Sequence, residues 1–453
     1  MPTLATMAES DAVKLRYCDK CKKSETKYEI FECNHQFCKK CTESIKSYPL
    51  HIKCIICRPT PVDELMNYYA NCVNSKSSTA EGQGLIAAVV NCHASFTVFT
   101  RNQFGMARNF ATPIVTIRNK QNKFLHVDID DTAIGTYLIN YTPKSPGDHL
   151  ITITVHNDHI AGSPFTLKNV FLEMDQPEFS FGTRELTNDS ATTRTQLGVC
   201  CSKSGKIITT DRLNNQLVIF DQRGKEIYRY GSLGYWSGQL DDPSSVTIDN
   251  RDRIIVIDRG NFRVQVLSLD DVINFGSRGR DNGQFMVPWG VATNSKCQIL
   301  VTDDDEQNPR IQLFTPAGDF LKVFNLDTRN WTHPRGICVS RRDEVLVSVI
   351  GRNNCVIRCD SYLKKSRSLF GARVVADGKL SAPQGIVVDT QGRVIIADKM
   401  NRRVYIFDPV NGRFLYSFSV TGEPTGVCAS PDGLIIVAVC DGLCESFYAY
   451  RYL

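Results

Sequence analysis

The second half of the chain repeats one pattern of apolar and polar positions. Each copy has a short aliphatic run that ends in Asp, a polar turn, and a strand in which apolar and polar residues alternate, as in IIVIDRGNFRVQVL and VIIADKMNRRVYIF. Short aliphatic runs and alternation with a period of two are typical of β-strands. The pattern therefore predicts a mainly β protein in which small antiparallel sheets follow one another.

Most copies begin with Pro, followed two residues later by Gly and then by Val or Ile. The anchor positions are Gln196, Pro243, Pro288, Pro334, Pro383 and Pro424. A period of roughly 40–50 residues with four strands per unit is typical of a β-propeller blade. Six copies predict a six-bladed propeller over residues 176–453.

The last copy has room for only three strands before the chain ends at Leu453. The segment Phe179–Gly182, FSFG, resembles the ends of outer strands in other copies. Ring closure protects the edges of the sheets, and one sheet cannot bury both of its faces alone. We therefore expect Phe179–Gly182 to supply the missing strand of the last blade.

Between residues 78 and 172 the strands are spaced more closely and the repeat is absent. Ala94–Thr100, Thr136–Tyr141 and His149–Val155 predict an antiparallel sandwich of about a hundred residues. The segments GTYLINYTPKSPGDHLITITV and HIAGSPFTL resemble the filamin-type immunoglobulin repeat. We expect a spacer that orients its neighbours, and a ligand site is the alternative, because no polar residues converge on a cleft in this pattern.

Eighteen cysteines are present, and seven of them stand with one histidine in metal-ligand spacing near the N-terminus. The eight candidate ligands are Cys18, Cys21, Cys33, His35, Cys38, Cys41, Cys54 and Cys57. Eight soft ligands suffice for two tetrahedral Zn²⁺ ions. Because residues 18–58 contain little apolar area, metal binding is expected to supply most of the free energy that folds them.

The order of these ligands resembles a RING finger, in which the two zinc sites interleave. The resemblance implies two sets of four ligands, Cys18, Cys21, Cys38 and Cys41 for one ion and Cys33, His35, Cys54 and Cys57 for the other. It also implies a groove that docks a ubiquitin-conjugating enzyme, with contacts from Ile45, Ile55, Ile56 and Arg58. A structural zinc module without ligase activity is the alternative.

Residues 1–17 are expected to be disordered, and residues 59–77 are expected to be a linker, with a Ser/Lys-rich end. The N-terminus lacks the features of a signal peptide, and no apolar run reaches the roughly 20 residues that a membrane span needs. Scattered single cysteines indicate a reducing compartment. We therefore expect a soluble cytoplasmic protein, and the net charge of +5 does not by itself demand nucleic acid.

The order of RING finger, filamin-type repeat and six NHL-type blades resembles the TRIM-NHL family, and within it the heterochronic branch that represses messenger RNAs, although a B-box and a coiled coil are missing. Propellers of that family use one rim for binding, often of RNA. The resemblance implies an RNA contact for the loop arginines Arg263, Arg310 and Arg403, with Trp289 and Trp331 as candidate stacking residues. A salt bridge to the Asp of the same loop is the alternative for each arginine.

Two further features of the propeller limit the candidate chemistry. Residues 176–453 contain one histidine, His333, which argues against an enzyme with a histidine-rich metal centre. The run Asp303–Asp305 is interpreted as a solvated acidic turn, and Trp236 is expected to pack between blades.

The resemblance to the RING finger and to the TRIM-NHL family implies a RING-type E3 ubiquitin ligase that acts in post-transcriptional regulation, and its expected partners are a ubiquitin-conjugating enzyme, ubiquitin and a target protein. The propeller would recruit that target directly or through an RNA hairpin or single strand. The alternative is a post-transcriptional repressor or scaffold that binds RNA or protein and carries an inactive RING.

Overall fold

A computed structural model describes the following ranges of the chain: 28–30, 36–38, 73–108, 111–174, 176–185, 198–326, 333–352, 354–360, 363, 366–370, 379–440 and 444–452. This part of the chain is mainly β, and its single helical element is the 3₁₀ turn Gln83–Leu85. No helix in these ranges is long and apolar enough to cross a membrane.

Two short strands, β1 (Tyr28–Ile30) and β2 (Gln36–Cys38), form an antiparallel hairpin in which Tyr28 lies opposite Cys38. Cys38 is the last residue of β2. The other candidate zinc ligands, together with Ile45, Ile55, Ile56 and Arg58, lie outside the described residues. The predicted zinc module therefore stays a prediction.

A β-sandwich follows. Its strands are β3 (Asn74–Glu81), β4 (Ala87–Val89), β5 (Ala94–Arg101), β6 (Ile114–Asn119), β7 (Val127–Ala133), β8 (Thr136–Tyr141), β9 (His149–Val155), β10 (Asp158–His159), β11 (Phe165–Leu167) and β12 (Asn169–Phe171). One sheet has the order β3-β5-β8-β7, and the other places β9 between β10 and β11 and also pairs it with β6. Every second residue of β9 is buried, as expected of a strand with one face toward a core.

The first sandwich strand begins at Asn74, within the segment that the sequence pattern assigned to a linker. The sequence pattern did not predict this strand because its residues are mostly polar and lack the alternation of apolar and polar positions. Ser78 is nevertheless buried, and its hydroxyl donates to the carbonyl of Asn74 at 2.8 Å and accepts from the backbone N–H of Arg101 at 3.1 Å. These hydrogen bonds satisfy a buried hydroxyl, so a serine can occupy a core-facing position.

All of the remaining strands in the described ranges, β13 to β36, form six four-stranded antiparallel sheets. After β13 (Phe179–Glu185), the first three sheets contain β14 (Val199–Cys201), β15 (Ile207–Asp211), β16 (Gln216–Phe220), β17 (Glu226–Tyr230); β18 (Pro243–Ile248), β19 (Ile254–Asp258), β20 (Arg263–Leu267), β21 (Val272–Phe275); β22 (Pro288–Thr293), β23 (Ile299–Asp303), β24 (Arg310–Phe314) and β25 (Phe320–Asn325). The next sheets contain β26 (His333–Val339), β27 (Val345–Ile350), β28 (Cys355–Cys359), β29 (Ser366–Phe370); β30 (Pro383–Val388), β31 (Val394–Asp398), β32 (Arg403–Phe407), β33 (Phe414–Ser419); β34 (Glu423–Ala429), β35 (Leu434–Cys440) and β36 (Cys444–Arg451).

These sheets are the blades of a propeller, numbered 1 to 6 in the order of their first strands. The first strand of each blade contacts the first strand of the next, and β14 contacts β34, so the ring is closed. The fourth strand of blade 6 is β13, which pairs antiparallel with β36 and places Phe181 opposite Phe447. The prediction that Phe179–Gly182 completes the last blade is therefore confirmed.

The sandwich packs against the propeller. Ala87, Phe171 and Met174 share one buried apolar cluster with residues of blades 5 and 6. The ring of Phe171 stacks on Tyr416 of β33 with centroids 5.4 Å apart, and the side-chain amide of Gln83 donates to the carbonyl of Leu415 at 3.1 Å. The contact combines buried apolar area with a hydrogen bond to the outer strand of blade 5.

Candidate functional site

The three arginines that the sequence singled out occupy equivalent positions in blades 2, 3 and 5. Each is the first residue of the third strand, and each lies opposite the Asp that ends the second strand, as in the pair Asp258 and Arg263. Repetition therefore brings the arginines to the same end of the ring, where the first strands begin. It does not give them the same surroundings.

Arg263 is buried, with 6% of its surface exposed. Its Nε donates to Oδ2 of Asp258 at 2.7 Å, and Nη2 donates to the carbonyls of Trp236 and Gln239, both at 3.1 Å. The guanidinium also lies over the ring of Tyr235, 5.0 Å from its centroid. This arginine joins its own blade to the loop that precedes it, which is the salt-bridge alternative left open by the sequence.

Arg310 repeats this arrangement in blade 3, where only 2% of its surface is exposed. Its guanidinium pairs with Asp303 at 3.2 Å and donates to the carbonyls of Arg280 and Gln284 at 2.5 and 2.8 Å. Because an RNA contact requires an accessible guanidinium, neither Arg263 nor Arg310 is assigned to an RNA surface here.

Arg403 is half-buried and points elsewhere. Its guanidinium donates to the hydroxyls of Ser417 and Ser419, at 2.9 Å each, and within the described residues it forms no ion pair with Asp398 or any other carboxylate. Asp398 instead accepts hydrogen bonds from the backbone of Ser381 and Ala382 and from the side chain of Asn401. The three predicted arginines therefore do not form one binding surface.

A second group of side chains lies at the same end of the central channel, and we call it the channel-mouth cluster: Arg259, Trp289, Asp304, His333 and Arg335. The guanidinium of Arg335 lies 3.9 Å from the centroid of Trp289, and that of Arg259 lies 5.1 Å from it. Arg335 donates to Asp304 at 2.6 Å, and Nδ1 of His333 lies 2.9 Å from the other carboxylate oxygen. A tryptophan ring in contact with two guanidinium groups results, an arrangement stabilised by cation–π attraction.

Burial shapes the electrostatics of this cluster. It raises the pKa of Asp304, because desolvation outweighs the nearby charge of Arg335. It lowers the pKa of Arg335, an effect that the neighbouring charge of Arg259 reinforces. Among the described residues, Nε1 of Trp289 and Nε of Arg335 are buried donors without a hydrogen-bond partner. These two donors are themselves inaccessible, so what the cluster offers a ligand is aromatic surface and positive charge, which suit a partner with a π-face or an anionic group.

Sequence reasoning identified Trp289 but missed the rest of the cluster. Arg259 follows the second strand of blade 2, Asp304 follows that of blade 3, and Arg335 belongs to the first strand of blade 4, so only the ring brings them together. The interpretation of Asp303–Asp305 as a solvated turn is wrong. All three are buried, because each carboxylate pairs with an arginine.

The sequence contains two other tryptophans, Trp236 and Trp331. Trp236 was expected to pack between blades, but its side chain is on the surface, with 78% of the residue exposed. Its backbone carbonyl, and not its ring, serves as the structural contact by accepting from Arg263. Trp331 lies outside the described residues, so its predicted role stays a prediction.

The central channel encloses a cavity of about 510 Å³ lined by the first strands of the blades. Cys200, Cys338 and Cys428 occur along this lining, and burial raises the pKa of each thiol. The thiols therefore stay protonated at neutral pH and are poor nucleophiles. In the described parts of the chain, no group of three or more His, Cys, Asp or Glu residues is arranged to hold a metal ion.

The N-terminal donor set has the chemistry of a zinc site. Seven thiols and one imidazole are the soft ligands that tetrahedral zinc prefers, and their CxxC spacing is that of structural sites. Of these candidate ligands, Cys38 lies in the described pair of strands, where its backbone is opposite Tyr28. The residues present fit the metal.

Comparison with known proteins supports two of these assignments. Residues 72–166 match the filamin/ABP280 repeat, and residues 240–267, which include β18, β19 and β20, match the NHL repeat. The chain contains a filamin repeat and an NHL repeat. The filamin repeat is the β-sandwich.

Three of the matching relatives are each similar to part of this chain. The E3 ubiquitin-protein ligase TRIM71 of Xenopus tropicalis is 37% identical over 151 residues, which cover 32% of this chain and 18% of TRIM71. The human E3 ubiquitin-protein ligase NHLRC1 is 25% identical over 208 residues, covering 44% of this chain and 51% of NHLRC1. The protein brain tumor of Drosophila melanogaster is 28% identical over 130 residues, covering 28% and 12%.

The chain spans about a fifth of the length of TRIM71 and about half of the length of NHLRC1. The similarity leaves out the candidate RING segment. The chain is therefore homologous over part of its length to TRIM71, NHLRC1 and brain tumor, and the first two of these proteins are named ubiquitin ligases.

Proposed function

We propose that this chain is a RING-type E3 ubiquitin ligase whose propeller recruits the target. The observation that carries the proposal is the set of eight zinc-ligand residues between Cys18 and Cys57. Its spacing is specific, because three CxxC pairs and the Cys-x-His-x-x-Cys centre are present. The names of TRIM71 and NHLRC1 support the same activity.

In this proposal the eight ligands hold two Zn²⁺ ions, which supply folding energy and take no part in bond making. Ile45, Ile55 and Ile56 contact the ubiquitin-conjugating enzyme, and Arg58 holds the tail of the ubiquitin that the enzyme carries. The chain supplies no nucleophile. It accelerates transfer by holding the charged conjugating enzyme close to a lysine of the target, which raises the effective concentration of the reacting groups.

The channel-mouth cluster is the proposed recruiting site. Tryptophan and arginine are enriched among the residues that dominate protein interfaces, and the same pair binds unpaired bases by stacking. A target protein, or an RNA that carries one, would engage Trp289 and Arg335.

A chain-formation assay with purified full-length protein, ubiquitin and a panel of conjugating enzymes tests the ligase activity. We expect zinc-dependent chain formation that Cys38→Ala abolishes and Arg58→Ala reduces. Arg342→Ala, a change of the same kind on an exposed turn of blade 4, should leave it intact. Two zinc ions per chain with no stimulated enzyme would contradict the proposal.

Zinc removal provides a second readout. Chelation or Cys38→Ala is expected to unfold residues 18–57 while the thermal transition of the propeller stays in place, because the propeller has its own core. A propeller transition that follows the zinc content would show that the two parts are coupled.

The second candidate function is repression through RNA or protein binding, with an inactive zinc module. The cationic and aromatic channel-mouth cluster favours it. Filter binding of RNA hairpins and single strands at two salt concentrations tests it. Arg335→Ala is expected to weaken binding and to lower the salt slope by about one unit if Arg335 contacts a phosphate. Binding that is unaffected by this change would remove RNA from the cluster.

A further inference from the structure

A cleft of about 620 Å³ separates the filamin repeat from the outer strands of blade 5. Its filamin wall includes Gln83, Cys92, His93 and Ser95, and its propeller wall includes Arg403 and aromatic residues of β32 and β33. Cavities of roughly 300–1,000 Å³ are the usual size of ligand sites. This cleft is separate from the channel-mouth cluster.

The walls of the cleft are held in place by buried contacts. Phe171 is fully buried between the two domains, where it stacks on Tyr416 and lies 5.0 Å from the guanidinium of Arg393. The hydrogen bond from Gln83 to Leu415 crosses the same boundary. The space between the walls therefore belongs to a built interface.

Arg403 carries an uncompensated positive charge in this cleft. Within the described residues its side chain donates only to neutral oxygens, those of Ser417 and Ser419, and it forms no ion pair. None of the described residues that line the cleft is Asp or Glu. Glu173, whose charge acts on nearby Tyr416, is exposed.

The contrast with blades 2 and 3 explains why this charge is available. There a glutamine stands two residues after the arginine, and Gln265 donates to Asp258 at 2.9 Å in the same network that holds Arg263. In blade 5 this position is Tyr405, whose hydroxyl accepts from Asn401. Asp398 is occupied by other donors, and the guanidinium of Arg403 lies against β33 instead.

We propose that the cleft between the filamin repeat and blade 5 binds an anionic side chain of a partner protein through Arg403. The ligand chemistry is a carboxylate or a phosphoryl group on an apolar or aromatic body, because the guanidinium presents a planar fork to such oxygens and Tyr405, Phe414 and Tyr416 line the cleft. RNA is disfavoured as the occupant, since its affinity depends on several phosphate contacts and the described lining offers one arginine.

Ligand-observed NMR titration of the full-length protein with three small probes tests this site. Phenyl phosphate and phenylacetate carry the two anions, and benzyl alcohol is the neutral counterpart. We expect at least one anion to bind roughly tenfold more tightly than the alcohol, the ratio of a charge-assisted hydrogen bond. The preferred anion identifies a phosphorylated or an acidic side chain as the partner group.

Arg403→Gln is expected to abolish the preference for the anion, whereas Arg402→Gln, the same change at the exposed neighbouring residue, should preserve it. If Arg403→Gln lowers the thermal stability, titration of the unaltered protein at rising NaCl replaces it, and the anion affinity alone should fall. Equal affinity for anion and alcohol, or equal effects of the two variants, would overturn the proposal. Displacement of phenyl phosphate by a single-stranded RNA, lost in Arg403→Gln, would also overturn it by making nucleic acid the occupant.

This inference does not rest on ubiquitin transfer. An inactive RING with an intact preference for the anion would remove the proposed ligase and leave the cleft site standing. Active chain formation with no preference for the anion would do the reverse.

Discussion

Blades 3 and 5 carry the same Asp and Arg at the same positions of the repeat and use them differently. In blade 3, Arg310 is 2% exposed and pairs with Asp303, whose other oxygen accepts from the backbone of Val287. In blade 5, Asp398 is fully buried but relies on amide donors, and Arg403 faces the cleft beside the filamin repeat.

The difference shows that the same arginine position of the repeat can have two roles. The backbone pairing is conserved between the two blades, since Asp303 faces Arg310 and Asp398 faces Arg403 across the same pair of strands. The side chain two residues after the arginine, glutamine in blade 3 and tyrosine in blade 5, differs. A structural ion pair in one blade thus corresponds to an available cation in the other.

Removing the arginine from each blade should produce the largest contrast. Arg310→Ala leaves the buried carboxylate of Asp303 without its cation, so we expect a loss of about 3–5 kcal/mol in the free energy of unfolding. Arg403→Ala is the matched control and should cost less than about 1 kcal/mol, because only hydrogen bonds to two serines are lost. Urea denaturation measures both, and equal losses would refute the distinction.

Phe171→Leu tests the contact between the filamin repeat and blade 5. The change keeps an apolar side chain but removes the stacking on Tyr416 and the contact with Arg393, so a loss of about 1–2 kcal/mol is expected. The matched control is Phe124→Leu, at a residue that is 64% exposed in the same domain. Thermal unfolding that is insensitive to both changes would mean that the two domains are not coupled at this ring.

The buried carboxylate of Asp398 in blade 5 should make the free energy of unfolding depend on pH. Burial raises the pKa of Asp398, with hydrogen bonds from Ala382 and Ser381 opposing the shift. The folded-state pKa of Asp398 lies above its unfolded-state pKa, so ionisation of this carboxyl destabilises the folded protein. The free energy of unfolding therefore decreases as pH rises through the folded-state pKa.

Asp398→Asn removes this dependence. Above about pH 4, near the unfolded pKa of an Asp, the stability of the original protein relative to the variant should therefore fall as pH rises toward the folded-state pKa. Denaturant titrations at several pH values measure the difference. A difference that increases with pH would show that the hydrogen bonds, and not desolvation, dominate.

The smallest effect is expected at Trp236, which lies beside Arg263 of blade 2. Arg263 uses the backbone carbonyl of this residue, and the exposed ring has no part in the ion pair. Trp236→Ser should change the free energy of unfolding by no more than about 0.5 kcal/mol. A loss above about 1 kcal/mol in urea denaturation would return Trp236 to the packing role that its sequence context suggested.

The fold was largely readable from the sequence because it is periodic. Regular spacing of the Pro anchors indicated six sheets, and the missing strand of the last copy was found at Phe179–Gly182 by its likeness to other outer strands. Strand β3 escaped notice because its polar residues resemble a linker, although Ser78 is buried. Alternation reports a core only when the inward positions are apolar.

The candidate sites were less predictable, because they join residues that are distant in the sequence. Trp289 was visible as a conspicuous residue, but its neighbours Arg259 and Arg335 come from other blades. The cleft at Arg403 depends on a filamin wall that is more than 300 residues away along the chain.

The sequence by itself determined the period, the strands, the closing strand and the zinc-ligand pattern, because each depends on local spacing or on residue type. Tertiary structure decided which charges are buried and which are available. By its sequence alone, the run Asp303–Asp305 is typical of a solvent-exposed turn. In the structure it is buried, because Arg280, Arg310 and Arg335, which are distant from one another in the sequence, pair with its three carboxylates. Burial of a charge depends on its partners in space, since the desolvation cost is offset only where an opposite charge lies within hydrogen-bond distance.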